Sequence, residues 1–373
     1  MKNAKLFFKK GKTFSVAILF CLLFFSCAGQ EEKKKVSLKF ELEQSKVRGD
    51  LISMKAEDLP EFRLDPHDKE YQDNQISGVV RTVFQDKKGN YWFGTQDGLC
   101  RKNQNGLVYF DLKDSNGQRV TVHVILEDNA GIIWIGYGGG IAKYDGDYFT
   151  IFHEKELLVR SGLWSMTVDK KGILWIGTTQ GVFTFDGTSL TPFEIPEGKI
   201  DSTRGISTPK MIHSIMEDSK GNIWFGTNGG AYRYDGKKLS AITEKEGLQS
   251  NFVEAILEDK QGIFWIATTR GLSCFNGEKL TNVTANIYDK NVGTSSLLQD
   301  KNGTMWFSSH KGRHIYSYKD KVFTKYLLSE GNYGPAAFQI YEDQQERLWF
   351  VGFRGAYRYD DKKFVNITRN GPW

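Results

Sequence analysis

The sequence predicts an all-β fold, a seven-bladed β-propeller with four antiparallel strands per blade, and three observations carry that prediction. Seven of the nine tryptophans recur almost evenly: Trp92, Trp134, Trp175, Trp224, Trp265, Trp306 and Trp349, at spacings of 42, 41, 49, 41, 41 and 43 residues. Self-similarity at this period marks a repeat architecture. Ahead of the tryptophans runs Asp-x-x-Gly, at Asp86/Gly89, Asp128/Gly131, Asp169/Gly172, Asp218/Gly221, Asp259/Gly262 and Asp300/Gly303. Between turn signals lie short runs rich in β-branched and aromatic residues, four to a repeat.

The second repeat shows each element in order. Val122 to Leu126 is a first strand, Ile133-Trp134-Ile135 a second, Ile141 to Tyr144 a third and Tyr148 to Phe152 a fourth. The Asp of the first turn accepts backbone hydrogen bonds and the Gly supplies a positive φ, which closes a hairpin. The seventh repeat has Asp343 but Glu346 in place of Gly, so its turn should be strained or one residue longer. Asp-Gly or Asn-Gly, as at Asp145-Gly146, Asp186-Gly187, Asp235-Gly236 and Asn276-Gly277, marks the last hairpin. The Trp strand is apolar on both faces and therefore needs cover on both, as in a blade packed between two others. Gly94, Gly136, Gly177 and Gly226 let neighbouring backbones approach; Ala267, Ser308 and Val351 replace them in the last three repeats. Four strands in about 41 residues describe a propeller blade, and seven blades close radially. Lys363 to Ile367 can supply the last outer strand, with Glu61 to Leu64 adding to it or replacing it.

The ends need separate treatment. Residues 1–26 combine Lys2, Lys5, Lys9, Lys10 and Lys12 with an apolar run from Phe14 to Phe25, the pattern of a secretory signal. Ser26-Cys27 at its end resembles a bacterial lipoprotein signal, which implies cleavage before Cys27 and lipidation of that residue; ordinary signal-peptidase cleavage is the alternative. Residues 27–59 read as the lipidated cysteine and a polar tether, and residues 60–373 as the propeller. The five lysines removed with the signal leave 45 basic against 45 acidic residues, although the whole chain carries a net +5. A nucleic-acid partner needs a basic surface excess, so that class is excluded. Cys100 and Cys274, in the first and fifth repeats, are expected as unpaired, small buried groups. One isolated carboxylate per turn is far from a calcium loop, and no metal or other cofactor is expected.

Asp-x-x-Gly-x-x-Trp-x-Gly-Thr-x-x-Gly-(Leu/Val), as in Asp86 to Leu99, resembles the two-component regulator propeller repeat, over about residues 60 to 370. In that family, paired propellers form the periplasmic sensor half of hybrid histidine kinases, many of them responding to carbohydrates in gut bacteria. The sequence holds one propeller and none of the immunoglobulin-like domain, membrane helix or kinase that follow in the family. The resemblance therefore implies recognition without catalysis, in the cell envelope, with the membrane reached through the lipid only.

Propellers bind ligands at the mouth of the central channel. Five residues before each turn Asp stand Arg81, His123, Trp164, His213, Glu254, Ser295 and Phe338, whereas two residues further on every repeat is apolar (Val83, Ile125, Met166, Ile215, Ile256, Leu297, Ile340). Positions that only pack repeat; positions facing a shared cavity are free to differ. The loops after the Trp strands add Arg270, His310 and Arg354, with Gln96, Asp97, Tyr137, Gln180, Asn228, Lys311 and Phe353. Such a ring of cations, amides and aromatics suits a polar small molecule or glycan fragment, with Trp164 or Phe338 as a stacking platform. The insertion at about residues 195–209 is expected on the same face as a lid. A separate signalling or uptake protein is the expected partner. Streptogramin lyases, also seven-bladed propellers with a catalytic histidine on this kind of face, keep an enzymatic reading open through His123, His213, His310 and Glu254. A protein-interaction scaffold is the third reading.

Overall fold

The protein is described by a computed structural model that covers residues 47–48, 50–55, 74–114, 116–153, 162–200, 207–285, 293–309, 314–326, 337–360 and 362–373. The expected signal segment, Cys27 and the Glu61–Leu64 strand lie outside these residues. Two strands, β1 (Val47–Arg48) and β2 (Asp50–Lys55), precede the wheel. Blade 1 is β3 (Val80–Gln85), β4 (Tyr91–Thr95), β5 (Gly98–Asn103) and β6 (Gly106–Phe110). Blades 2 to 7 open with β7 (Val122–Glu127), β11 (Leu163–Val168), β15 (Ile212–Glu217), β19 (Val253–Glu258), β23 (Thr294–Gln299) and β27 (Ala337–Glu342), and each continues through three more strands to β30 (Lys363–Ile367). All seven sheets are antiparallel meanders, and among the described residues there is no helix.

The core lies between blades rather than within them. Trp92 and Phe110 of blade 1 pack with Ile125, Ile135 and Phe149 of blade 2, and Trp224 of blade 4 packs with Ile256 and Ile266 of blade 5. This is why the Trp strands are apolar on both sides. Six of the seven are buried at every position, blade 2 being the exception. The repeated glycine faces the first strand of the next blade. A Cβ on Gly94 would lie 2.7 Å from Val122 Cγ1 and 2.9 Å from its carbonyl oxygen, a separation no side chain tolerates without a shift.

Each turn Asp has a second task beyond the hairpin. One carboxylate oxygen accepts backbone N–H groups of the turn, as Asp86 Oδ1 does from Lys88 and Asn90. The other accepts the indole N–H of the tryptophan six residues on. The seven distances run from 2.8 to 2.9 Å, from Asp86–Trp92 to Asp343–Trp349. A buried indole N–H needs such a partner, so the turn and the core are fixed by one side chain. The seventh turn keeps the same length, with Glu346 N donating to Asp343 O at 2.9 Å. Its cost is conformational: Glu346 sits at φ +63°, where a Cβ is disfavoured.

Neighbouring blades are also latched at these turns. The backbone N–H just after the turn Asp donates to the side chain that ends the first strand of the next blade. The bonds are Lys87 to Glu127 (2.9 Å), Lys170 to Glu217 (2.9 Å), Ser219 to Glu258 (2.6 Å), Lys260 to Gln299 (2.8 Å), Lys301 to Glu342 (2.9 Å) and Gln344 to Gln85 (2.9 Å). Blade 3 presents Val168 at this position, which accepts nothing, so the junction between blades 2 and 3 has no such bond. At that junction the N-terminal strands lie instead. β2 pairs over six residues with β10 (Tyr148–His153), the outer strand of blade 2, and β1 pairs with β14 (Ser189–Phe193), the outer strand of blade 3. The stretch expected as a free tether therefore contributes a fifth strand to each of two blades.

The ring closes by packing, with each terminal blade complete in itself. β30 is the outer strand of blade 7, as expected. Trp349 and Val351 of blade 7 share a core with Val83 and Phe93 of blade 1, with Trp373 packed against it. Tyr91 donates to Asp343 across the seam at 2.8 Å, and Arg354 N donates to Gly78 O at 2.8 Å.

Candidate functional site

The central channel holds a cavity of about 950 Å³, and all seven side chains singled out at the aligned position line it: Arg81, His123, Trp164, His213, Glu254, Ser295 and Phe338. The backbone explains why. Every first strand slips register against its Trp strand at this point, between Val80/Thr82, Val122/Val124, Leu163/Ser165, Ile212/Ser214, Val253/Ala255, Thr294/Leu297 and Ala337/Gln339. The lining residue is thus the extra one of a β-bulge, released from the ladder and re-aimed. Two residues on, Val83, Ile125, Met166, Ile215, Ile256 and Ile340 are buried between blades, as their uniform character predicts.

The lining is lopsided. Blades 7, 1, 2 and 3 form an aromatic and cationic arc. Phe338 and Phe353 lie 4.9 Å apart, the Arg81 guanidinium sits 4.6 Å over the Phe338 ring, and His123 lies 5.0 Å from Trp164. Blades 4, 5 and 6 bring His213, Glu254, Ser295 and Ser296. Burial, helped by the nearby Arg81 charge, pushes the His123 imidazole down to about 4, so it is neutral near pH 7. Burial alone lowers Arg81, and its Nε is buried without a hydrogen-bond partner, as is the Trp164 indole N–H.

His213 has a fixed tautomer. Asn228 Nδ2 donates to Thr208 O at 2.8 Å and to Ser207 Oγ at 3.2 Å, which leaves Oδ1 to accept from His213 Nε2 at 2.6 Å. Ser308, at a position where four blades have Gly, donates to Ala337 O at 3.2 Å and so receives the Ser295 hydroxyl at 2.7 Å. Ser295 keeps its lone pairs for the channel.

The loop residues fare differently. Phe353 lines the channel, but Arg270 and Arg354 do not. Arg270 borders a separate hollow with Lys199, Glu244 and Phe252, and pairs with Glu244 at 3.9 Å. Arg354 sits at the seam with blade 1 at φ +72°. At Arg270 the Thr-x-x-Gly turn is the cause. The Thr268 hydroxyl donates to Gly271 O and accepts from Arg270 N, which curls the second loop residue away from the axis. Asn228 is 1% exposed and Tyr137 0%, so neither is a channel side chain; Asp97 accepts from Ser77 at 2.7 Å. His310 and Lys311 lie outside the described residues. The base of the 195–209 insertion docks on this face, with Lys199 N donating to Asn228 O at 3.4 Å and Gly198 N to Pro209 O at 2.7 Å. The bulges were missed from sequence alone, because nothing in a single repeat marks the register slip.

Of the two cysteines among the described residues, Cys100 is buried and Cys274 half-buried, both free. Among the described residues no three His, Cys, Asp or Glu side chains gather as metal ligands would, and no helix is long and apolar enough to cross a membrane.

This geometry belongs to the class of seven-bladed propellers with a ligand-sized axial cavity. Residues 74–97, 207–229 and 247–270 match the family described as two component regulator propeller; the chain carries repeats of that family. Among solved structures, the extracellular domain of the hybrid two component system BT3049 from B. thetaiotaomicron is 25% identical, with a TM-score of 0.60 over 83% of this chain and 41% of its own. That of BT4673 from the same organism is 20% identical, with a TM-score of 0.59 over 80% and 39%. The chain thus spans about two fifths of these sensor structures. A streptogramin B lyase is 14% identical, with a TM-score of 0.62 over 83% and 97%, a likeness of fold alone. No curated protein matches the sequence.

Proposed function

We propose that this chain is a non-catalytic recognition propeller of the cell envelope that takes a polar small molecule or oligosaccharide in its axial cavity. One observation carries the reading: seven blades each release one bulge residue into the same cavity, and those seven differ in chemistry while their neighbours repeat. A scaffold that only needed to close would have no use for that divergence. The repeats shared with two-component regulators, and the extracellular placement of the BT3049 and BT4673 domains, support sensing outside the cytoplasm, with a separate signalling or uptake protein as partner and a lipid on Cys27 as anchor.

Chemistry at this site has weak support. Among the described residues neither His123 nor His213 has a carboxylate partner: His123 lies against Trp164 and Arg81, and His213 is committed to Asn228. General acid–base work needs a group oriented and tuned by such a partner. Thermal-shift screening of oligosaccharides and small polar acids tests the proposal. Saturable stabilisation without turnover, lost on Trp164→Ala, is the expected result; turnover abolished by His123→Ala or His213→Ala would replace it with a lyase. Fatty-acid labelling, absent in Cys27→Ser, tests the anchor.

A further inference from the structure

The geometry points to a more specific ligand class for the axial cavity: a ring-bearing molecule that carries an oxyanion, its charge held by Arg81 and its ring laid against Trp164 and Phe338. This rests on the reading of the channel as the recognition site.

Arg81 is the reason for the charge. It is a half-buried guanidinium on a bulge, and among the described residues no carboxylate lies within ion-pair distance of it. Three other arginines are committed, Arg347 to Asp343 at 2.8 Å, Arg358 to Asp360 at 2.7 Å and Arg369 to Gln75 O at 2.8 Å. Arg81 instead has the Phe338 face on one side and His123 nearby, and its Nε is buried with no acceptor. Removing a charge from water without a partner is costly, and the fold here gains no ion pair from it. A planar guanidinium offers two parallel N–H donors to a carboxylate or a sulfate. An ammonium or other cation placed beside it would be repelled.

The neighbours of Arg81 supply the ring surface. Phe338 and Phe353 on one side and Trp164 on the other flank Arg81 and His123 within one continuous arc, and Phe338 and Phe353 are 36% and 45% exposed. Large aromatics left open to solvent beside a cation form a stacking wall. Beside Phe338, blade 6 offers the Ser295 and Ser296 hydroxyls, which fit the polar remainder of the molecule. His213 and Glu254 of blades 4 and 5 stand across the axis from Arg81, so the oxyanion is held on the Arg81 side. The cavity volume is ample for one or two rings.

The test is calorimetric titration of the purified chain with two matched pairs, glucuronate against glucose and benzoate against benzyl alcohol. The first pair presents a polyol ring and the second an aromatic one, so the arms also identify the ring. In at least one pair the acid is expected to bind about tenfold or more tightly than its neutral partner, as a charge-assisted bond implies, and to weaken as salt rises. Arg81→Gln should level the acid to its neutral partner and Arg81→Lys should restore part of the preference, with unchanged thermal melting in both. Trp164→Ala should weaken acid and neutral compound together. Equal binding within both pairs, or an acid preference that survives Arg81→Gln, overturns the oxyanion assignment alone. No binding of any of the four at millimolar concentration, with the wheel intact, overturns recognition in the channel itself.

Discussion

Asp343 Oδ2 accepts the indole N–H of Trp349 at 2.8 Å, and it also accepts Tyr91 from the far side of the seam and Arg347 from its own turn, each at 2.8 Å. The other turn aspartates hold their tryptophan with fewer helpers. Desolvation pushes the Asp343 carboxyl up, but the bonds from Trp349, Arg347 and Tyr91 outweigh it and hold it below the ordinary range. One carboxylate therefore ties the last hairpin, its core tryptophan and the first blade together.

Asp343→Ala should be the most damaging of the seven equivalent substitutions. It strands a buried indole N–H and a buried phenol and leaves Arg347 unpaired, at a cost of about 3 to 5 kcal/mol. Asp128→Ala, beside the less buried Trp134, should cost about 1 to 2 kcal/mol. Urea denaturation of both variants measures the difference; equal costs would mean that the seam draws nothing from Asp343.

Glu346→Gly should stabilise the protein by about 1 kcal/mol. Glu346 occupies φ +63° where the six other turns have Gly, and a Cβ there costs about 1 to 2 kcal/mol. Its exposed pairing with Lys301 at 3.5 Å contributes little. A raised urea midpoint with unchanged slope is the expected outcome.

His123 makes stability depend on pH. Its folded pKa lies near 4, below the 6.5 of an ordinary imidazole, so between those values the unfolded chain binds more protons than the folded one. Stability should be full above about pH 6.5 and decline as pH falls toward 4. Asp218 and Asp343, both held low in the folded state, add a further loss only below the ordinary carboxylate range. Thermal melting of His123→Phe should lose most of the decline in the upper window and keep the lower one. The part left in the upper window is what His314 adds, since burial and Lys325 also hold that imidazole low.

Asn228→Ala should loosen the insertion without opening the wheel. Asn228 links His213, Thr208 and Ser207, while its carbonyl receives Lys199. The side-chain bonds are worth about 1 kcal/mol each. Faster proteolysis between residues 195 and 209, with hydrogen exchange in β15 unchanged, is the expected result.

Truncation up to Lys55 should leave all seven blades folded, since each has its own four strands. The loss should be local. Amides of β10, the strand that β2 covers, should exchange faster, because blade 2 and blade 3 meet without the backbone-to-side-chain latch of the other junctions.

The blades were legible because their determinants are local: Asp and Gly fix the turns, and tryptophan fixes the buried strand. The lining residues were legible for a related reason, since seven dissimilar residues at one aligned position stand out against seven apolar ones two places on. Arg270 was misplaced because the Thr-x-x-Gly turn is set by a side-chain hydroxyl that periodicity does not register, and Arg354 because its backbone N–H is tied to Gly78 O at the seam. The constant six-residue interval from Asp to Trp was visible, but its meaning depends on a bond formed only when the hairpin folds. β2 was unreadable because Asp50 to Lys55 carries no repeat signal, and its partner lies about a hundred residues away.

The seven bulges have an evolutionary consequence. A residue outside the hydrogen-bonded ladder can be exchanged without breaking a rung, so the wheel's durability and its choice of cargo are written in different letters. Descendants of such a chain could retune what the hub accepts one spoke at a time, while the tryptophans, aspartates and glycines that keep the wheel true stay as they are.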